Sequence, residues 1–138
     1  MKKVTILRGI SGAGKSTYTS RNHPAAYVAS ADQYFGTGEN YKFDPTKLGA
    51  AHADCLARFK NAVTSQTPDV VVDNTNTQLW EFAQYVEFAE RNGYDVNVVR
   101  LKVDPDVAAK RNVHGVPKET VLKMQNRFQD FPGETIVQ

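Results

Sequence analysis

Eight consecutive residues, Gly9-Ile10-Ser11-Gly12-Ala13-Gly14-Lys15-Ser16, read G-x-x-x-x-G-K-[ST] and follow directly on the apolar run 4–7. Glycines at 9, 12 and 14 let the backbone wrap closely around phosphate oxygens, with φ values that a side chain would forbid. The main-chain N–H groups of Ser11, Gly12, Ala13, Gly14, Lys15, Ser16 and Thr17 then form one anion cradle. A helix growing from Lys15 adds the positive end of its dipole. Lys15 can bridge the β- and γ-phosphates, and the Ser16 hydroxyl can enter the coordination shell of Mg²⁺. The chemistry expected of these residues is that of a nucleoside triphosphate enzyme, with ATP and Mg²⁺ as its nucleotide and metal.

Two acids extend that expectation. Asp73 closes the run Val70-Val71-Val72, the pattern of an acid that holds Mg²⁺ beside the loop serine. The run Asp73-Asn74-Thr75-Asn76 is also rich in side chains that bond their own backbone, so a turn cap is the competing reading. Asn74 and Asn76 either shape that turn or hold substrate. Asp32 follows a short apolar stretch. Phosphoryl transfer to a hydroxyl needs a base near the attacking oxygen, and Asp32 is the candidate, with a helix N-cap as its plainer role.

The elements that must position these groups alternate along the chain. Residues 4–7 and 69–73 are continuous apolar runs suited to strands buried on both faces, 26–29 is a short strand, and 94–103 a fourth. Helices are expected at 15–21, from Asp44-Pro45 to about 63, at 79–91, from Asp104-Pro105 to 111, and at 118–127. Residues 36–41 read as a loop. The result is an α/β chain: a mostly parallel sheet of about four to five strands with helices on both faces, three layers in all, as one domain over residues 1–138. Ligands of such sheets bind beyond the carboxyl ends of the strands, where Asp32 and Asp73 would join the glycine loop.

Composition narrows the setting. The 138 residues are 41% apolar, enough for one shared core, and carry 17 basic against 15 acidic residues for a net charge of +2. That balance implies no broad basic field, so any nucleic-acid contact must be local. One cysteine, Cys55, excludes an internal disulfide and reads as a helix-face core residue. No stretch approaches the ~20 apolar residues of a membrane span, and Met1-Lys2-Lys3 leads straight into a strand, so a soluble, cytoplasmic protein with no membrane partner is expected. His52 reads as partly buried, Trp80 as core, and His114 as a loop residue. Tyr34, Phe35, Tyr41 and Phe43 form either a stacking platform for a base or simple packing beneath a loop.

Taken in order, the glycine loop, Ser30-Ala31-Asp32-Gln33-Tyr34, Asp73-Asn74-Thr75-Asn76, Lys110-Arg111-Asn112 and Val116-Pro117 resemble the kinase domain of phage-type polynucleotide 5′-hydroxyl kinase. Arg8-Gly9, Phe43-Asp44-Pro45, Ala51-His52, Trp80-Glu81 and Arg111-Asn112-Val113-His114-Gly115 resemble its eukaryotic branch of AAA-type ATP-binding relatives. The resemblance covers nearly the whole chain and implies a P-loop NTPase fold of the kinase type, with the Asp73 strand beside the first. It implies that Lys15, Asp32 and Arg111 are catalytic, Asp32 as general base and Arg111 in a lid over the nucleotide phosphates, where it joins Gly9 and residues 11–17 in binding nucleotide. It implies Ser16 and Asp73 at the metal. The phage pattern has an arginine three residues after the catalytic aspartate, where this chain has Phe35. It also has a second lid arginine, for which Lys110 or Arg127 would have to substitute.

The expected function is therefore an ATP-dependent kinase transferring the γ-phosphate to a hydroxyl, foremost the 5′-hydroxyl of a polynucleotide. The alternatives are a nucleoside or small-molecule kinase, and an ATP-binding regulatory module with little transferase activity.

Overall fold

A computed structural model describes residues 2–36, 38–111 and 115–138. Its strands are β1 (Lys3–Arg8), β2 (Tyr27–Ala29), β3 (Asp69–Asp73), β4 (Asp95–Leu101) and β5 (Thr135–Val137), and its α-helices are α1 (Lys15–Asn22), α2 (Leu48–Thr64), α3 (Leu79–Arg91), α4 (Pro105–Arg111) and α5 (Lys118–Asn126). The sheet runs β2-β3-β1-β4-β5 and every pairing is parallel. β1 lies at its centre, in register with β3 through Val4↔Val70 and Leu7↔Asp73 and with β4 through Val4↔Val96.

Alternation along the strands divides the core between the two faces. Val4, Ile6, Val70, Val72 and Val98 pack on one face against Ala51, Cys55 and Phe59 of α2 and Phe82, Tyr85 and Ala89 of α3. Leu7, Val71, Val99 and Leu101 face the other way, onto Tyr18 of α1, Ala108 of α4 and Val121 and Met124 of α5. With helices on both faces, neither face of β3 meets water, hence its unbroken Val-Val-Val. Among the described residues no helix is long and apolar enough to cross a membrane.

Departures from the sequence reading have local causes. Asp44 does cap a helix, accepting from Thr46 N at 3.0 Å, but the first turn, Pro45–Lys47, is 3₁₀ before α2 begins at Leu48. β4 is shorter than the expected 94–103 at both ends: Tyr94 precedes it, its hydroxyl donating to Thr67 O at 2.8 Å, and the strand stops at Leu101, before Lys102 and Val103. β5 is an added edge strand that completes a five-stranded sheet. Trp80 is 72% exposed rather than core, since α3 buries Phe82, Tyr85 and Ala89 and residue 80 lies off that stripe. His52 is exposed for the same reason: α2 buries Ala51, Cys55, Phe59 and Val63. His114 and Asn112 lie outside the described residues.

Candidate functional site

The parallel sheet delivers the carboxyl ends of β1, β2 and β3 to one edge, and the groups singled out for chemistry gather there. The loop 9–14 leaves β1 and enters α1 at Lys15, with Gly12 at φ 87° and Gly14 at φ 96°. Both are left-handed conformations that favour glycine. Gly12 is also constrained by space, because a Cβ there would stand 2.0 Å from the Ala108 carbonyl oxygen of α4. The loop is anchored by Gly9 N donating to Thr75 O at 3.0 Å and closed by Ala13 N donating to Ile10 O at 3.0 Å.

Lys15 folds back over this loop, its Nζ donating to Gly9 O at 3.0 Å and Ile10 O at 3.3 Å. Burial lowers its pKa, opposed by the charges of Asp73 and then Asp32. Burial raises the pKa of Asp73, which Lys15 pulls back down; Asp32 pushes it up further, and a hydrogen bond from Ser16 lowers it. These shifts have geometric content: Lys15, Ser16, Asp73 and Asp32 stand close enough to feel one another.

Asp32 is placed by a small lattice of bonds. Its N–H donates to Ser30 Oγ at 3.2 Å, Ser30 N–H donates to Gln33 Oε1 at 3.2 Å, and Ala31 N–H donates to Asn74 Oδ1 at 2.9 Å. From α2, Arg58 donates to Ser30 O at 2.8 Å and also to Gln33 Oε1. Tyr41 then donates its hydroxyl to Asp32 Oδ1 at 3.2 Å, and burial together with the Asp32 charge pushes the Tyr41 phenol up to about 12. Asn74 thus positions the Asp32 turn. Asn76, at φ 47°, positions the other side by donating to Leu7 O at 2.8 Å.

Arg111 ends α4 beside the loop, its Nη1 3.6 Å from where a Gly14 Cβ would lie. Ser11 Oγ stands 3.6 Å from Met124 Sδ of α5, while Ser16 and Thr17 are exposed at the start of α1. Arg127 is tethered elsewhere, donating to Thr77 Oγ1 at 3.2 Å. Phe35 is buried beneath a ring cluster and does not take up the solvent-facing place of an arginine.

Sequence reasoning gave no role to Arg8, the last residue of β1. It is fully buried and donates to Asn76 O at 2.8 Å, Thr77 O at 3.1 Å, Gln129 O at 2.5 Å and Glu134 Oε1 at 2.7 Å. Its guanidinium lies 4.8 Å from the ring centroids of Phe82 and Phe128. An arginine closing an otherwise apolar central strand was the available signal, since such a charge must find partners.

Residues 4–131 match the family described as AAA domain. NEDD4-binding protein 2 of Homo sapiens is 33% identical over 141 residues, covering 97% of this chain and 8% of that protein. The chain spans about a tenth of the length of the curated relatives it matches. Among solved structures, a chain of the Pnkp1/Rnl/Hen1 RNA repair complex superposes with TM-score 0.72 at 18% identity, over 91% of this chain and 43% of that one. A gluconokinase from Sinorhizobium meliloti 1021 gives 0.61 at 16%, over 98% and 81%. The shared architecture is the P-loop kinase-type α/β fold.

Proposed function

The chain belongs to the AAA domain family, and from that premise we propose that it is an ATP-dependent kinase whose acceptor is the 5′-hydroxyl of a polynucleotide. One observation carries the reading: Asp32 lies on the turn after β2, and the neighbouring Ala31 N–H donates to Asn74 Oδ1 at 2.9 Å, which ties that turn to the end of β3 next to Asp73, at the sheet edge where the glycine loop leaves β1. A hydroxyl acceptor needs a base at that place, whereas a hydrolase needs only to orient a water there.

In the proposed reaction Asp32 accepts the hydroxyl proton as the acceptor oxygen bonds the γ-phosphorus. The bond from that phosphorus to the β–γ bridging oxygen breaks, and ADP leaves. Lys15 exchanges its bonds to Gly9 O and Ile10 O for phosphate oxygens, and Arg111 meets the same charge from the lid side. Gly9 and residues 11–17 supply the cradle. For the metal, the donors suit Mg²⁺: Ser16 and Asp73 are hard oxygen ligands already joined by a hydrogen bond. Among the described residues no cluster of three or more His, Cys, Asp or Glu could hold a metal by itself. When bound, Mg²⁺ neutralises charge on the β- and γ-phosphates.

The polynucleotide acceptor is supported by the fold shared with a chain of an RNA repair complex; the gluconokinase likeness supports a small hydroxyl acceptor as the second reading. The test is transfer from γ-labelled ATP to a 5′-hydroxyl oligonucleotide. Asp32→Asn should lower the rate by about 10²–10⁴-fold with ATP binding intact. Labelled nucleoside or sugar beside unlabelled oligonucleotide selects the second reading. ATP binding without transfer to any hydroxyl leaves a regulatory module.

A further inference from the structure

The chain just beyond Asp32 builds a feature that the transfer chemistry does not use. Phe35, 8% exposed, is the floor of a ring cluster, with Tyr34, Phe43 and Tyr41 packed at centroid distances of 5.5, 5.2 and 6.3 Å. The segment is closed by Lys42 N donating to Phe35 O at 2.9 Å. Over this floor lies a cleft of about 470 Å³ lined by Tyr34, Phe35, Lys42, Phe43, Asp44 and Lys47. That size is in the ~300–1,000 Å³ range of small-ligand clefts.

Two properties define what the cleft can hold. Tyr34 is 43% and Phe43 51% exposed, so aromatic surface faces water above a floor that is already packed. Lys42 and Lys47 are exposed on its rim. The single acid there, Asp44, is occupied at the start of its helix, accepting from Thr46 N at 3.0 Å and Thr46 Oγ1 at 2.6 Å. Aromatic faces flanked by ammonium groups suit a planar base joined to phosphate. The cleft also connects to the chemistry: Tyr41, packed edge-on to Phe35, holds Asp32 Oδ1 at 3.2 Å.

We propose that this cleft takes the 5′-terminal nucleotide of a single-stranded nucleic acid, with its base stacked on Phe43 and Tyr34, the phosphate on its 3′ side against Lys42 and Lys47, and its 5′-hydroxyl directed to Asp32. The assignment rests on the kinase reading above. It places acceptor-phosphate recognition on the lysines of the turn that follows Phe35.

The test is initial-rate transfer from γ-labelled ATP to short 5′-hydroxyl DNA and RNA strands, each also made with an abasic first residue. Phe43→Ala should raise KM for the intact strand about ten- to a hundredfold, while KM for ATP changes by less than about twofold. Phe43→Trp, which keeps a stacking face, should restore it. The abasic end should cost the unmodified protein a similar factor and cost Phe43→Ala nothing further. Lys42→Ala with Lys47→Ala should flatten the salt dependence of strand KM. Continued transfer with KM unmoved by Phe43→Ala and by the abasic end overturns the subsite and leaves the kinase reading standing. A free nucleoside used as well as the strand overturns the polymeric occupant. No transfer to any 5′-hydroxyl strand removes the reading itself and the subsite with it.

Discussion

Two cations, the buried Arg8 and the half-buried Lys15, flank the same glycine loop, and their charges are met in opposite ways. Every nitrogen of the Arg8 guanidinium donates to a fixed acceptor, two phenyl rings cover its faces, and Glu134, only 5% exposed, supplies the counter-charge. Lys15 has two carbonyls of its own loop, and its carboxylate partners act through charge rather than contact. Burial lowers both pKa values, but only Arg8 has a hydrogen-bonded carboxylate to oppose it. A buried charge with a fixed acceptor at each nitrogen serves as scaffold. One left with exchangeable carbonyls is held in readiness for an anion. The two lie on neighbouring main chain without sharing a partner: Arg8 fixes Asn76 and Thr77, and the adjacent Thr75 carbonyl anchors Gly9.

The largest expected effect breaks the scaffold side. Arg8→Met should destabilise the fold by about 3–5 kcal/mol, the cost of stranding a buried partner. Arg100, 3.5 Å from Glu134 Oε2, retains some of that charge and points to the lower end. Urea unfolding monitored by circular dichroism measures it, and a loss below about 1 kcal/mol would mean the network is not structural. Glu134→Gln keeps an acceptor and removes only charge, so about 1–3 kcal/mol is expected. Lys15→Met should behave differently on the same assay. The ligand-free protein should be as stable as before or slightly more so, since a desolvated ammonium is removed. The stabilisation of about 2.7 kcal/mol that ATP at a hundred times its Kd would confer should vanish. A ligand-free loss as large as that of Arg8→Met would erase the distinction between the two cations.

The contrast also explains what could be read in advance. The bounds of β3 and α3 are those expected, because a valine run and an Asn92-Gly93 stop are local signals. Lys15, Ser16, Asp32 and Asp73 were placed together because each sits at or beyond a strand's carboxyl end, and a parallel sheet brings those ends to one edge. β5 was not found: a three-residue edge strand, mostly exposed, has no periodicity of its own and exists by pairing with β4. Arg8 and Glu134 stand 126 positions apart, and nothing near either residue names the other. Tyr41 is similar on a smaller scale, since its bond to Asp32 depends on how the intervening turn closes. Trp80 and His52 are exposed, against expectation, because each lies off the buried stripe of its helix.

The smallest effect sharpens the Lys15 side through pH. The pKa of Asp73 is raised above 3.8 by burial, so the folded chain keeps a proton that the unfolded chain has lost in the window opening upward from 3.8. Stability then falls as pH rises through that window, by at most about 1.4 kcal/mol per pH unit. Lys15 has the opposite sign at the other end. Its folded pKa lies below 10.5, the unfolded chain binds the extra proton in the window beneath that value, and stability rises with pH there. Asp73→Asn should flatten the acid limb by removing the titrating group. It should also deepen the alkaline one, because Lys15 loses the first of the charges that hold its proton. Urea midpoints across both windows measure the two limbs. For Arg8, with Glu134 hydrogen-bonded to it, Asp73→Asn should leave the cost of Arg8→Met unchanged within about 0.5 kcal/mol, as expected of sites that share no partner. A larger coupling would make the scaffold and the anion site one network instead of two.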